Sequence, residues 1–213
     1  MMKKIAALLI SLFTITFFSG CAIGNKYDYN IQNIPMTVTG DAAVGLSVKD
    51  SRPYILSNDK NPNFVGLQRG GFANPFNVTT TSGEPMVDDF EKSIAQGLTN
   101  KGFAVTRLDL LENDPETITL SAQKNELKRV IVLNVLEWKS DVMMQITLHH
   151  NLVLSVYDEA GSLIAQSQSS DTSGIGDAKF QSGNAKTVLQ SFEHIIGKLF
   201  RDPMVKQALQ EIE

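Results

Sequence analysis

Four places in this sequence carry side chains that could do chemistry. His149-His150 is a pair of imidazoles, and Asp88-Asp89 with Glu91 is a run of carboxylates. Gly66 to Pro75 reads GLQRGGFANP, a glycine-rich stretch, and Cys21 is the only thiol of the chain. A shared metal ion would need imidazoles that converge, but neighbours on a strand point to opposite faces. His150 is therefore expected at the edge of the core with a hydrogen bond, and His149 in solvent; His194 alone does not change that. Acidic residues at a helix start interact favourably with the macrodipole. That accounts for Asp88, Asp89 and Glu91 without general acid/base work, which would need two carboxylates across a cleft. GLQRGGFANP lacks the Gly-Lys-Ser/Thr ending of a phosphate loop and does not run directly into a helix. No G-x-S-x-G or H-E-x-x-H stretch occurs. The expectation is a protein that is not an enzyme, with no catalytic residues, no metal ligands and no cofactor.

Cys21 has a context of its own. The chain opens MMKK, runs through the 14 residues Ile5 to Phe18 (IAALLISLFTITFF), and reaches Ser19-Gly20-Cys21. A positive start, a short apolar run and small residues before a cleavage point are the parts of a secretory signal. A spanning helix needs roughly 20 apolar residues, so 1–20 reads as an export signal. Ser19, Gly20 and Cys21 resemble the lipobox of bacterial lipoproteins, with Phe18 standing where an aliphatic residue is usual. In that family the cysteine takes a diacylglyceryl group, the signal is cut before it, and the new amine receives a further chain such as palmitate. Each buried methylene is worth about 0.8 kcal/mol, and two or more acyl chains hold stably where one does not. No second cysteine is present to form a disulfide. Ala22 follows, where Asp commonly causes inner-membrane retention in such lipoproteins. The resemblance thus implies attachment to the outer membrane, with the domain facing the periplasm.

Removing 1–20 takes away Lys3 and Lys4, so the mature charge is 17 − 23 = −6. An acidic balance excludes nucleic acid as the expected partner, since that needs a clustered basic face. It also speaks against recruitment by anionic headgroups. The mature length suits one domain, placed at 42–213. Residues 21–41 read as a lipidated terminus and tether whose later part can join a sheet.

The elements follow from periodicity. Val44, Leu46 and Val48 alternate in AVGLSVKD, a strand. Two short strands are expected near FVGLQ and FNVTT. Val87, Phe90, Ile94 and Leu98 recur at helical spacing over about 85–101, with Gly102 as a stop. FAVTRLDL returns as a strand, and Pro115 opens a short helix. RVIVLNVLEW, a turn at Lys139-Ser140-Asp141, the alternating VMMQITLHHNLVLSVY and then SLIAQSQSS predict an antiparallel meander. Ala185, Val188, Leu189, Phe192, Ile195, Ile196, Leu199 and Phe200 form a helical stripe, and Asp202-Pro203 starts a closing helix. The fold expected is α+β: a mostly antiparallel sheet, its C-terminal part a three-stranded meander, with two main amphipathic helices on one face.

Loops rich in Gly and Asn with aromatics suit contact better than catalysis. Arg52, Tyr54, Phe64, Arg69, Phe72 and Phe76, all within 51–85, are the candidate partner contacts. VGLSVKDSRP (Val44 to Pro53), FVGLQRGG (Phe64 to Gly71) and the helix end LTNKGFAV together resemble the YajG-type small lipoproteins. Asp50, Arg52, Pro53, Gly66 and Gly102 carry the likeness. It implies an outer-membrane lipoprotein of a group with no assigned activity. The anchor, the missing catalytic sets and the Gly/Asn/aromatic loops lead to the expectation that the domain binds an envelope protein or a lipid-linked partner. Related lipoproteins make the alternative an auxiliary component of an ABC-type envelope transporter. A wide apolar groove between helix and sheet would favour that alternative, and a packed core would count against it.

Overall fold

The computed structural model describes residues 25–179 and 181–210. The expected signal and Cys21 lie outside the described residues. Eight strands form one sheet: β1 (Lys26–Tyr27), β2 (Ala43–Asp50), β3 (Phe64–Arg69), β4 (Pro75–Thr80), β5 (Ala104–Arg107), β6 (Arg129–Val142), β7 (Gln145–Asp158) and β8 (Leu163–Asp177). The helical elements are α1 (Pro53–Leu56), α2 (Met86–Thr99), α3 (Pro115–Lys124), α4 (Gln181–Arg201) and α5 (Pro203–Gln210).

The expected mostly antiparallel sheet is corrected by the pairing. The sheet is mixed and curls into a half-barrel. β2 lies parallel to both β5 and β6, β3 parallel to β6, and β1 parallel to β4. Antiparallel pairing joins β3 to β4 and runs through β6, β7 and β8, so the meander is one arm of a larger sheet. The physical reason lies in Val130–Leu133, four consecutive buried residues. Ile131, Leu133 and Val135 face the main core, while Val130 and Val132 face Ile118, Ala122 and Leu127 on the other side. α3 thus covers the second face, and a strand buried on both faces is the signature of parallel pairing. Helices on one face only is corrected with it.

β6 also forks the sheet. Its first half pairs with β2 from Arg129 to Val135, and its last residues, Ser140 to Val142, pair with β3 along the same edge. Gly66 sits where β3 meets β6, and a Cβ there would lie 2.2 Å from Ser140 Oγ and 2.6 Å from its carbonyl oxygen. The turn expected at Lys139-Ser140-Asp141 is instead at Met143-Met144, because Val142 pairs with Ile146.

The segment read as a tether belongs to the domain from Asn25 onward. Tyr27, Tyr29, Ile34, Met36 and Val38 are buried. The strap passes between two helices: a Cβ on Gly97 of α2 would meet Met36, and one on Gly197 of α4 would meet the carbonyl oxygen of Pro35. Tyr29 reaches the centre, where its hydroxyl accepts from Trp138 Nε1 at 2.8 Å, with Phe90 and Phe192 around both rings. α3 forms as expected, its N-cap Asp114 accepting from the Thr117 amide at 3.0 Å. Gly102 ends the turn after α2 at φ +103°, close against the carbonyl of Gly40.

Candidate functional site

The six expected contact residues separate into two places. Arg52 is fully buried at the fork of the sheet. Its Nε and Nη2 donate to the two oxygens of Asp50 at 2.8 and 2.6 Å. The same guanidinium donates to the carbonyls of Phe64 at 2.6 Å, Pro62 at 3.1 Å and Trp138 at 3.3 Å. Those carbonyls lie where β6 has left β2 and not yet met β3, so the side chain supplies the donors a ladder would have supplied. The Tyr54 hydroxyl donates to Glu137 Oε1 at 2.7 Å, and burial together with that bond pushes its phenol pKa up. Phe64 is buried edge-on to Tyr54. These three residues brace the fork from inside, and a buried guanidinium offers no surface to a partner.

Arg69, Phe72 and Phe76 lie on or beside the β3–β4 hairpin. Arg69 grips Asp141 with two bonds, at 2.7 and 2.5 Å, which holds the Asp141 carboxyl below its usual range. Phe72 and Phe76 are exposed.

A cleft of about 620 Å³ between α4 and the β7–β8 arm was not anticipated. His150 lines it, buried as expected, with Nε2 at 2.9 Å from Ser169 Oγ. Its Nδ1 is buried without a partner among the described residues. Burial lowers the His150 pKa, Asp171 opposes that, and Lys198 adds to it. His194 and Lys198, four apart on α4, project from the opposite wall. His149 bonds Thr172 Oγ1 at 3.2 Å on the other face, as the strand geometry required. The sequence signal for the cleft is in β8: Ser167, Ser169, Asp171 and Ser173 take the core-facing register opposite Leu154, Leu152, His150 and Leu148. A strand whose inward positions turn polar halfway marks an opening.

A second groove, of about 500 Å³, lies between α2 and the ends of β2 and β5 and is lined by Asp88, Glu91, Arg107 and Asp109. Burial pushes the Glu91 carboxyl up to about 7, against the pull of Arg107 at 3.8 Å. Asp89 is elsewhere, buried and accepting from Ser82 Oγ at 2.7 Å. Among the described residues no group of three or more His, Cys, Asp or Glu could hold a metal ion, and no helix is long and apolar enough to cross a membrane.

The sequence matches no protein-family model and no curated protein. Its structure is similar to that of a Xanthomonas campestris protein of family DUF330, with 12% identity and a TM-score of 0.57 over 86% of this chain and 96% of that one. That likeness shows a shared fold. A PelC dodecamer subunit from Paraburkholderia phytofirmans is 13% identical, with a TM-score of 0.46 over 84% of this chain and 94% of its own. The lipoprotein GNA1162 from Neisseria meningitidis is 11% identical, with a TM-score of 0.32 over 74% and 99%. Both are too distant to carry a functional inference.

Proposed function

We propose that this protein is a lipid-anchored lipoprotein of the bacterial envelope, of the YajG type its motifs resemble, that works by binding and not by turnover. Cys21 carries the lipid, the outer membrane is its location, and the domain meets an envelope partner through the α4–β8 cleft. The observation that carries the binding reading is the cleft itself, where His150, Ser169 and Ser173 face His194 and Lys198. The serine hydroxyls, His194 and Lys198 that line it suit a polar, hydrogen-bonding group. Ser169 and His150 resemble two members of a nucleophilic set, but nucleophile chemistry needs a third group to orient the base. The orphan Nδ1 is where that group would sit.

The transport-accessory alternative expects a wide apolar groove. Val188, Phe192, Ile196 and Leu199 of α4 are instead buried in the main core, and the cleft beside them is lined largely by polar side chains. A photo-crosslinker at Gln190 in intact envelopes should trap a discrete adduct that His150→Ala and Lys198→Glu diminish several-fold. Unchanged adducts in both variants would remove the cleft from the binding reading. For the anchor, Cys21→Ser should abolish acylation; a wild-type mature mass equal to the bare polypeptide would overturn it.

A further inference from the structure

The end of the sheet that carries the β3–β4 hairpin also carries the β6–β7 turn. Gln68 of β3 pairs with both Phe76 of β4 and Val142 of β6, so the two turns lie side by side. Arg69 and Asp141 tie them together. At this end Phe72 is 94% exposed, Met144 81%, Met143 50% and Phe76 37%. Large apolar side chains exposed singly are ordinary; three on adjoining turns, with Phe76 on the strand beside them, mark a contact surface. Of their charged neighbours, Arg69 and Asp141 satisfy each other, while Asp177 lies beside Met143 and Met144.

The N-terminus enters at the same end. β1 runs parallel to β4, with Lys26 opposite Thr79, and the Asn25 side chain donates to Gln68 at 3.1 Å. Traced backwards, β1 therefore points toward Pro75, where β4 leaves the hairpin. Only Ala22, Ile23 and Gly24 separate Asn25 from Cys21, so the two are at most about 14 Å apart along the chain. An acylated Cys21 places its bilayer within about 14 Å of Asn25, at the end of the sheet that carries the exposed tip.

We propose that the tip formed by Phe72, Phe76, Met143 and Met144 inserts into the bilayer beside the lipid anchor, orienting the domain with its sheet end down. This rests on the anchor reading of Cys21. The occupant is a lipid surface because the chain outside the described residues is too short to carry the tip away from it. Apolar side chains, not headgroup charges, make the contact, in keeping with the acidic mature chain. Insertion therefore persists at high salt, unlike binding through surface charges.

The test uses full-length acylated protein in phosphatidylethanolamine/phosphatidylglycerol vesicles. Its native thiol is blocked by lipid, so N74C and A160C each carry one environment-sensitive nitrobenzoxadiazole label, at the tip and at the opposite β7–β8 turn. The expected result is a blue shift and a loss of fluorescence to doxyl-labelled lipid at 74, in low and high salt, and neither at 160. Adding F72D and M144D should abolish the quenching at 74 while the protein still floats with the vesicles. Equal, water-like signals at 74 and 160 on floated, acylated protein would overturn the tip alone. A blue shift at 74 without lipid quenching would mean that protein covers the tip, and would overturn the bilayer as occupant. A mass without acyl chains and a failure to float would overturn the anchor, and the tip with it.

Discussion

At Glu91 the position of one carboxyl on its helix decides how it titrates. Consecutive helix positions lie about 100° apart, so Asp88 and Glu91, three apart, share one groove while Asp89 between them does not. Asp89 turns inward to Ser82, while Glu91 faces the groove beside Arg107. With its folded value at about 7 and an ordinary value of 4.5, the folded chain holds this proton where the unfolded chain has lost it. Stability therefore falls as pH rises through that window and stays lower above it. His150 runs the other way, since a lowered imidazole pKa makes stability fall as pH drops below 6.5. The wild-type slope mixes both, so the comparison must be with Glu91→Gln. That variant should gain about 1–3 kcal/mol at pH 8, the partial exposure of the carboxyl trimming the full linkage value, and little at pH 4.5. Urea midpoints at the two pH values measure it, and an equal gain at both would show that burial of Glu91 is not the cause.

Among the elements, the fork in the sheet depends most on a single side chain. Arg52 carries the carbonyls left open between β2 and β3 and neutralises Asp50 beside them. Breaking a buried, hydrogen-bonded pair from one side costs about 3–5 kcal/mol, because the other charge is left behind. Arg52→Met should show that loss in urea, followed by the emission of the single tryptophan, Trp138, which is buried beside the fork. Adding Asp50→Leu should restore part of it; no recovery would mean that the carbonyls, not the carboxylate, dominate. The residues behind the YajG-type likeness do the same kind of work. Asp50 and Arg52 close the fork, Gly66 admits Ser140, and Gly102 ends a helix, so the motif reports architecture and is silent on ligands. Helices α2, α4 and α5 and the β7 alternation were legible because each shows its apolar face at its own period. The parallel pairing was not, since a two-faced run such as Val130–Leu133 shows no period at all. Nor was the hairpin turn, because Trp138, Ser140, Val142, Ile146 and Leu148 are buried at even positions on both sides of it. Parity survives the turn and hides it. The α4–β8 cleft escaped for a different reason: it depends on β8 pairing its serines against β7, a relation between distant segments.

For the whole molecule, the decisive quantity is how far the domain stands from the proposed anchor at Cys21. A tether over 21–41 would let it range tens of ångströms from the bilayer, and the polar composition of that stretch invited the reading. Its aromatics decide otherwise, since Tyr27 and Tyr29 are worth more inside the core than in water, and they draw the strap between α2 and α4. Three residues remain before Cys21, bounded on one side by the proposed bilayer and on the other by β1. A protease needs accessible, flexible chain, and so short a link provides almost none. Limited proteolysis of vesicle-bound wild type should leave the domain with the vesicles. A Gly/Ser insert of about twenty residues after Ala22, with an r.m.s. span of about 25 Å, should let the same treatment release a fragment of domain size into the supernatant. Release of the wild-type domain at the same rate would show that the strap leaves its seat between the helices in solution, and the short stand-off would be wrong.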